Sequence, residues 1–321
     1  MKVARLDTLL SEEHAKDAGF EEAISTLNGA VGPAEHWEDL PETLPTLHVI
    51  GVPRSGTTLL TQLVASHLDV SCISNLVAAF WSAPCLGLRL ARRLLAPRPN
   101  TTYTSSYGRT TDISEPHEFG YFWSDLLGYR ELREPTGDPD VDWDRVRRAL
   151  TNMCAAAGRP IVFKSFALAY HALHVQQVLP RTCFVWVRRD PVDNALSLLR
   201  ARRAYGGDLT SWVGLKPAEF SWLQHETPAV QVAGQVIGVE RGIRDALRRN
   251  GLRNTLMLRH SDVCAHPEVA LDRIAGLLRT VGVEVGPTRG DLPDLRVSPR
   301  TADPMRDEVV AAFESLARRA A

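Results

Sequence analysis

Residues 47–60 read LHVIGVPRSGTTLL, an apolar run that passes through a glycine-bounded loop directly into a helix start. Gly51 and Gly56 stand five apart, the glycine spacing of a phosphate-cradling loop, but Thr57 occupies the position where nucleoside triphosphate-binding loops carry lysine. A loop that keeps both glycines, offers the hydroxyls of Thr57 and Thr58, and places its cation earlier at Arg54 suits a shorter anionic head. The N–H groups of the first helical turn have no partner within the helix, and the dipole adds roughly half a positive charge there. An anion is therefore expected against Ser55, Gly56, Thr57 and Thr58. Gly56 lets backbone approach that anion without a Cβ between them, and the Arg54 guanidinium can grip its oxygens.

A second segment carries a similar signal. Residues 182–203, TCFVWVRRDPVDNALSLLRARR, begin with a short apolar run suited to a buried parallel strand. Asp190 is a good N-cap and Pro191 a good first helical residue. Arg189 closes the strand, and Ser197 follows eight residues later, about two turns into the helix. A cation at a strand end and a hydroxyl on the next helix can converge on a second phosphate. Two such sites suit a nucleotide phosphorylated at both its 5′ and 3′ positions.

In this order, the two segments resemble the sulfotransferase superfamily that uses 3′-phosphoadenosine 5′-phosphosulfate, in its soluble bacterial-type branch. The family's first loop, P-[KR]-[SA]-G-T-T, wraps the 5′-phosphosulfate and matches residues 53–58; Arg54 stands where the cytosolic branch has lysine. Its 3′-phosphate signature is an arginine followed eight residues later by a serine, with an acidic residue between, and Arg189, Asp193 and Ser197 satisfy it. The resemblance runs from about residue 46 to about residue 280. It implies an α/β fold of three layers, with a central parallel sheet flanked by helices.

Weaker matches lie between and after these motifs. Residues 160–166, PIVFKSF, read as a strand ending in Lys164, one of only four lysines among 37 cationic residues. By resemblance Lys164 contacts the 5′-phosphate or the transferring sulfuryl group. Residues 255–278 read as a strand, a short turn at His260-Ser261-Asp262-Val263 and an amphipathic helix. The family's C-terminal phosphate loop has no clear counterpart, although Arg296 and Arg300 could stand in.

The general base is where the sequence departs from the family. The position two residues after the lysine, a histidine in cytosolic members, is Phe166 here. The stretch after the first helix, where tyrosylprotein members place a glutamate, has none in residues 71–79. Residues 114–123, SEPHEFGYFW, concentrate Glu115, His117 and Glu118 among aromatics. An apolar surround raises a carboxylate's pKa and a nearby carboxylate raises a histidine's, so either type could work near neutrality. His117 is the first choice, with Glu118 close behind.

The implied reaction moves a sulfuryl group in line to a hydroxyl or similar nucleophile of a small-molecule acceptor. Arg54, Lys164 and the loop N–H groups stabilise the charge that develops on the leaving phosphate. No metal is expected: there are no Cys/His pairs at zinc-ligand spacing and no acidic calcium loop, and His171 and His174 read as ordinary helix residues. Two readings from other classes stay open. A kinase of the same loop type lacks its lysine and a clear magnesium carboxylate, and a non-catalytic nucleotide-binding protein would explain Phe166.

Composition bounds the remainder. The 321 residues are 44% hydrophobic, enough for one large α/β domain, and the net charge of −1 advertises neither nucleic acid nor a membrane surface. Arginine clusters at 145–148, 200–203 and 241–249 read as solvated helix faces. Five widely spaced cysteines in apolar settings suit reduced thiols in a cytoplasmic protein. The N-terminal residues turn acidic where a signal peptide would need an apolar core. The most membrane-like stretch, residues 76–88, is too short to span a bilayer and is expected to line core or acceptor pocket. Oligomeric state is not legible.

The expected organisation is an N-terminal helix and proline-spaced linker over residues 1–45, a core over 46–285 and a tail with a final helix over 286–321. Proline-rich residues 96–140 and residues 204–230, with Trp212 and Trp222, are expected to cover the site as lids.

Overall fold

The computed structural model describes residues 17–99, 101–103, 105–137, 139–251, 253–286, 290–295 and 303–320. In chain order its elements are α1 (Ala18–Val31), β1 (Thr46–Gly51), α2 (Thr57–His67), β2 (Ser71–Cys72), α3 (Asn75–Ala78), α4 (Pro84–Leu94), α5 (Gly120–Leu127), α6 (Trp143–Ala157), β3 (Ile161–Lys164), α7 (Ala172–Val178), β4 (Cys183–Arg188), α8 (Pro191–Gly206), α9 (Phe220–Leu223), α10 (Pro228–Arg249), β5 (Thr255–Arg259), α11 (His260–Ala265), α12 (Pro267–Thr280) and α13 (Arg306–Ala320). The expected α/β class is observed. Five parallel strands in the order β2-β3-β1-β4-β5 form one sheet.

The two-residue period of a strand explains how the sheet is clothed. Phe184 and Trp186 of β4 and Ile161 and Phe163 of β3 enter one core, shared with residues of α5, α6, α8 and α10. Cys183, Val185 and Val187 of β4 and Val162 of β3 enter the other, under α2 and α12. Apolar side chains on both faces are what a parallel sheet covered by crossover helices requires. Residues 76–88 belong to this core rather than to the central cavity: Val77, Cys85 and Leu88 are buried in it.

One polar chain crosses the apolar layer. His48 of β1 is fully buried between Phe163 and Phe184. Its ring nitrogens bond Ser165 Oγ and Thr46 Oγ1, both at 2.9 Å, and Thr46 Oγ1 lies 3.1 Å from Thr182 Oγ1. Burial pushes the imidazole down to about 3, so it stays neutral and ties β1 to the ends of its neighbours.

Strand polarity positions the site. All five strands end on the same edge, and β1 is central, so the loop after Gly51, Lys164 at the end of β3 and Arg189 just past β4 arrive side by side. In open parallel sheets the crevice beyond the carboxyl ends is where ligands sit. Of the solvated arginine faces expected from the sequence, 200–203 needs correction at one residue. Arg202 is fully buried, bonded to Gln231 Oε1 (2.6 Å), Gln235 Oε1 (3.0 Å) and the carbonyl of Leu209 (3.2 Å). Its guanidinium also packs 4.7 Å from the centre of the Trp212 ring. A helix-face pattern cannot reveal a partner arriving from another helix.

All five cysteines are free thiols. No helix among the described residues is long and apolar enough to cross a membrane. Positions 296 and 300, named from the sequence as a substitute phosphate loop, lie outside the described residues, as do residues 1–16.

Candidate active site

A cavity of about 690 Å³ opens at the carboxyl edge of the sheet and takes in the first motif segment and, from the second, Arg189; Ser197 is buried and does not line it. Pro53, Arg54, Gly56, Thr57 and Thr58 form one part of its wall, Lys164 and Phe166 another, and Arg189 a third. The segments expected as lids also contribute: Tyr103, Tyr107, Gly108, Arg109, Glu118 and Leu132 from the first, and Tyr205, Trp212, Val213 and Gly214 from the second. Trp222 does not line it and is 40% exposed.

The loop before α2 is held by its two glycines for different reasons. A Cβ at Gly51 would meet Ser55 Oγ at 2.5 Å and the Val187 carbonyl at 2.6 Å, so this glycine lets the loop fold back onto β1 and β4. Gly56 is the N-cap of α2 with φ of 102°, and a Cβ there would overlap the ring of His260. Arg54 also has a positive φ, 73°, a strained conformation for a residue with a side chain.

Ser55 departs from expectation. Its side chain is fully buried, away from the cavity wall, and its N–H donates to the Val52 carbonyl at 3.0 Å. The turn uses up the group that the sequence offered to an anion. Gly56, Thr57 and Thr58 keep that orientation, because the first bond of α2 is from Leu60 N–H to Gly56 O.

Three groups from three elements meet at one point. A Cβ built on Gly108 would stand 3.2 Å from Lys164 Nζ, 3.4 Å from Arg54 Nη1 and 3.6 Å from Thr58 Oγ1. Lys164 is 2% exposed; its ammonium pairs with Glu118 Oε1 at 2.7 Å and donates to the Gly108 carbonyl at 2.8 Å. Burial lowers the Lys164 pKa while Glu118 opposes that shift. Burial works against the Glu118 charge, but Lys164, with smaller help from His117 and Arg54, holds the carboxyl below its usual range. The Glu118 carboxyl is therefore ionised at neutral pH.

The second motif adjoins the first. Asp190 caps α8 by accepting from Asp193 N–H at 3.0 Å, and Pro191 opens the helix. Arg189 Nη1 donates to the Arg54 carbonyl at 3.1 Å, and Arg54 Nε donates to Ser197 Oγ at 3.3 Å. Asp193 accepts from Arg306 of α13 at 3.1 Å, which fixes the carboxylate away from the cavity wall. Burial lowers the pKa of both Arg54 and Arg189, each in a partly apolar surround.

Among the candidate bases the structure separates neighbours. Glu118 faces the cavity at Lys164. His117 does not line it; its Nδ1 accepts from Phe119 N–H at 2.9 Å and its own N–H donates to the Ile73 carbonyl at 2.7 Å. The order of preference between the two is therefore reversed. Phe119 reaches the start of α5 with φ of 60°. Glu115 is buried, accepting from Gln62 Nε2 (3.0 Å) and Thr101 Oγ1 (2.8 Å), and anchors the covering segment to α2.

Sequence reasoning passed over His260 and Cys264, which face the cavity from α11 beside Arg189. Burial, then Arg189, pushes His260 down to about 4, so a neutral ring packs on Gly56. Cys264 Sγ lies 3.7 Å from its Nε2. The i, i+4 spacing of this pair is visible in the sequence, but which side of a six-residue helix meets the loop is not. Gly108 was also passed over; its left-handed φ of 97° is visible only in the fold.

Solved structures similar to this chain include the sulfotransferase STF1 from Mycobacterium tuberculosis H37Rv, at 15% identity over 97% of this chain and 82% of that one, with a TM-score of 0.49. The sulfotransferase STF9 from Mycobacterium avium matches at 16% identity over 94% and 72%, with a TM-score of 0.46. The sulfotransferase domain from the curacin biosynthetic pathway matches at 16% identity over 74% of each chain, with a TM-score of 0.41. A comparison with curated proteins gave no match. The model of the sulfotransferase family matches residues 45–282, a span that contains the glycine loop, Lys164 and the Arg189–Ser197 segment together; the chain belongs to the sulfotransferase family.

Proposed function

We propose that the protein transfers a sulfuryl group from 3′-phosphoadenosine 5′-phosphosulfate to a hydroxyl of a small-molecule acceptor, without a metal. The observation that carries this reading is the convergence of Lys164 Nζ, Arg54 Nη1 and Thr58 Oγ1 beside the start of α2, with the Glu118 carboxylate 2.7 Å from the lysine. Gly56 supports it, since its positive φ turns the loop sharply into the start of α2.

In this reading, the N–H groups of Gly56, Thr57 and Thr58 and the Arg54 guanidinium hold the 5′-phosphate, while Arg189 and Ser197 serve the 3′-phosphate. Lys164 sits at the sulfuryl end. Glu118 takes the acceptor's proton as its oxygen bonds to sulfur; the sulfur–oxygen bond to the 5′-phosphate breaks, and its electron pair stays on that phosphate. Fixed cations aimed at the growing charge lower the barrier. An anion at Lys164 also weakens the hold on Glu118, which raises the carboxylate's basicity when it is needed. The five free thiols fit work in a reducing, cytoplasmic setting.

A calorimetric titration with adenosine 3′,5′-bisphosphate, without magnesium, tests the donor. Binding is expected there and not with ATP; the reverse preference points to a phosphotransferase. Release of the bisphosphate from the sulfated donor, accelerated by hydroxylated acceptors, tests the transfer. Release indifferent to every acceptor favours a protein that binds the nucleotide without catalysis.

A further inference from the structure

The three converging groups close around the tip of a backbone turn. Ser106 and Arg109 exchange both backbone hydrogen bonds at 3.0 Å. The residues between them, Tyr107 and Gly108, have φ of 50° and 97°, the left-handed values of a tight two-residue hairpin. The Gly108 carbonyl takes a hydrogen bond from buried Lys164 at 2.8 Å. A Cβ at Gly108 would stand 3.2 Å from Lys164 Nζ and 3.4 Å from Arg54 Nη1, so those side-chain ends would have to give by a few tenths of an ångström, and the φ of 97° disfavours any side chain there.

The turn is latched from α8. Tyr205 Oη donates to the carbonyls of Ser106 (3.1 Å) and Tyr107 (3.2 Å). The Arg109 guanidinium lies 5.0 Å from the centre of the Tyr205 ring, and that of Arg54 lies 5.4 Å from the centre of the Tyr107 ring.

The geometry points to the turn at residues 106–109 as a tethered plug, a self-ligand of the anion site that must withdraw from Lys164 before a sulfated head settles there. This rests on the reading of Lys164, Arg54 and Thr58 as the donor's anion-binding groups. A neutral carbonyl is a weaker partner for an ammonium than an anionic oxygen, so the donor displaces the plug. The displacement costs apparent affinity, in proportion to the fraction of molecules with the turn withdrawn. Tyr107 and Arg109 line the same cavity, so withdrawal of the turn also reshapes the space left for the acceptor. Donor arrival and the final form of the acceptor site are thereby coupled.

The test is titration of 3′-phosphoadenosine 5′-phosphosulfate, with adenosine 3′,5′-bisphosphate as the unsulfated control, into the wild-type protein, Tyr205→Phe and Gly108→Ala, with thermal unfolding to check each fold. Tyr205→Phe keeps the ring and loses the latching hydroxyl. It binds about five- to tenfold tighter, the order expected when one or two ordinary hydrogen bonds cease to hold the seated turn. Gly108→Ala strains the seated turn through its φ of 97° and crowds the end of Lys164, and tightens binding in the same direction. Hydrogen exchange at residues 105–109 quickens at saturating nucleotide, opposite to the protection a ligand gives to the rest of its wall. Unchanged or weaker binding by Tyr205→Phe, or slower exchange in the turn, overturns the plug and leaves the donor reading standing. Failure of all three proteins to bind either nucleotide overturns the donor reading and this inference with it.

Discussion

Arg54 Nε donates to Ser197 Oγ at 3.3 Å, although 143 positions separate the two residues. The cation of the glycine loop and the hydroxyl of α8 are thus one unit. Arg189 joins it through the Arg54 carbonyl. Replacing Ser197 or Arg189 by alanine is expected to weaken binding of adenosine 3′,5′-bisphosphate by roughly 1.5–3 kcal/mol each, the range for bonds to charged groups. Titration calorimetry reads this, and unchanged affinity in both variants removes the second phosphate from the site.

Glu118→Gln keeps the shape of the side chain and removes its charge. Turnover is expected to fall by about 10²–10⁴, the usual contribution of a positioned base, with donor affinity little changed. His117→Ala, altering a residue outside the cavity wall, is expected to retain most activity. Steady-state kinetics of the two variants side by side decide the matter. Equal losses would return the role to the histidine or to neither residue.

The Glu118 pKa is held below the ordinary carboxylate value of 4.5. A group shifted this way contributes stability above its unfolded pKa and loses it as pH falls through the folded one. The carboxylate therefore stays ionised throughout the neutral range, and the acid limb of kcat/KM assigned to it is expected below pH 4.5 in the free enzyme. An acid limb near pH 6.5 that persists in His117→Ala would argue for a different base.

Gly56→Ala meets two obstacles, the left-handed φ of 102° and the His260 ring. Strain of roughly 1–2 kcal/mol from the backbone adds to overpacking of about 1–3 kcal/mol. Pairing it with His260→Ala should recover the packing part only, a coupling that a double-mutant cycle in chemical denaturation measures. Additivity of the two changes would mean that the ring has another way out.

Three histidines with depressed pKa values set an acid limit on the fold. Burial pushes His48 to about 3 and, before the effect of neighbouring charges, is the main reason that His171 and His260 fall to about 4. Below the ordinary histidine value of 6.5 the unfolded chain takes up protons that the folded chain refuses, so stability declines as pH falls from about 6.5 toward 4. His48→Phe is expected to flatten this slope by about one proton, roughly 1.4 kcal/mol per pH unit. Denaturant midpoints across the window test it, and an unaltered slope would place the proton elsewhere.

Motifs confined to a few consecutive residues were legible from the sequence. The turn into α2 needs Gly56, α8 needs the cap of Asp190 and the proline after it, and the strand ending in Lys164 is an apolar run closed by a rare lysine. The direction of neighbouring side chains in an irregular segment was not. His117 and Glu118 carry similar chemistry on adjacent positions, and only Glu118 lines the cavity. Ser55 matches the loop pattern and is nevertheless buried, because the loop bends back onto its own strand.

The order of residues along the chain determined the two helix-opening turns and the alternating strands, since hydrogen bonding of a helix end and the pleat of a strand depend on near neighbours alone. Tertiary structure decided which carboxylate meets Lys164, that Arg202 is interior, and that Gly108 rests among the cations. Those outcomes follow from where separate elements pack against one another, and the energies that fix such contacts arise only between segments far apart in sequence.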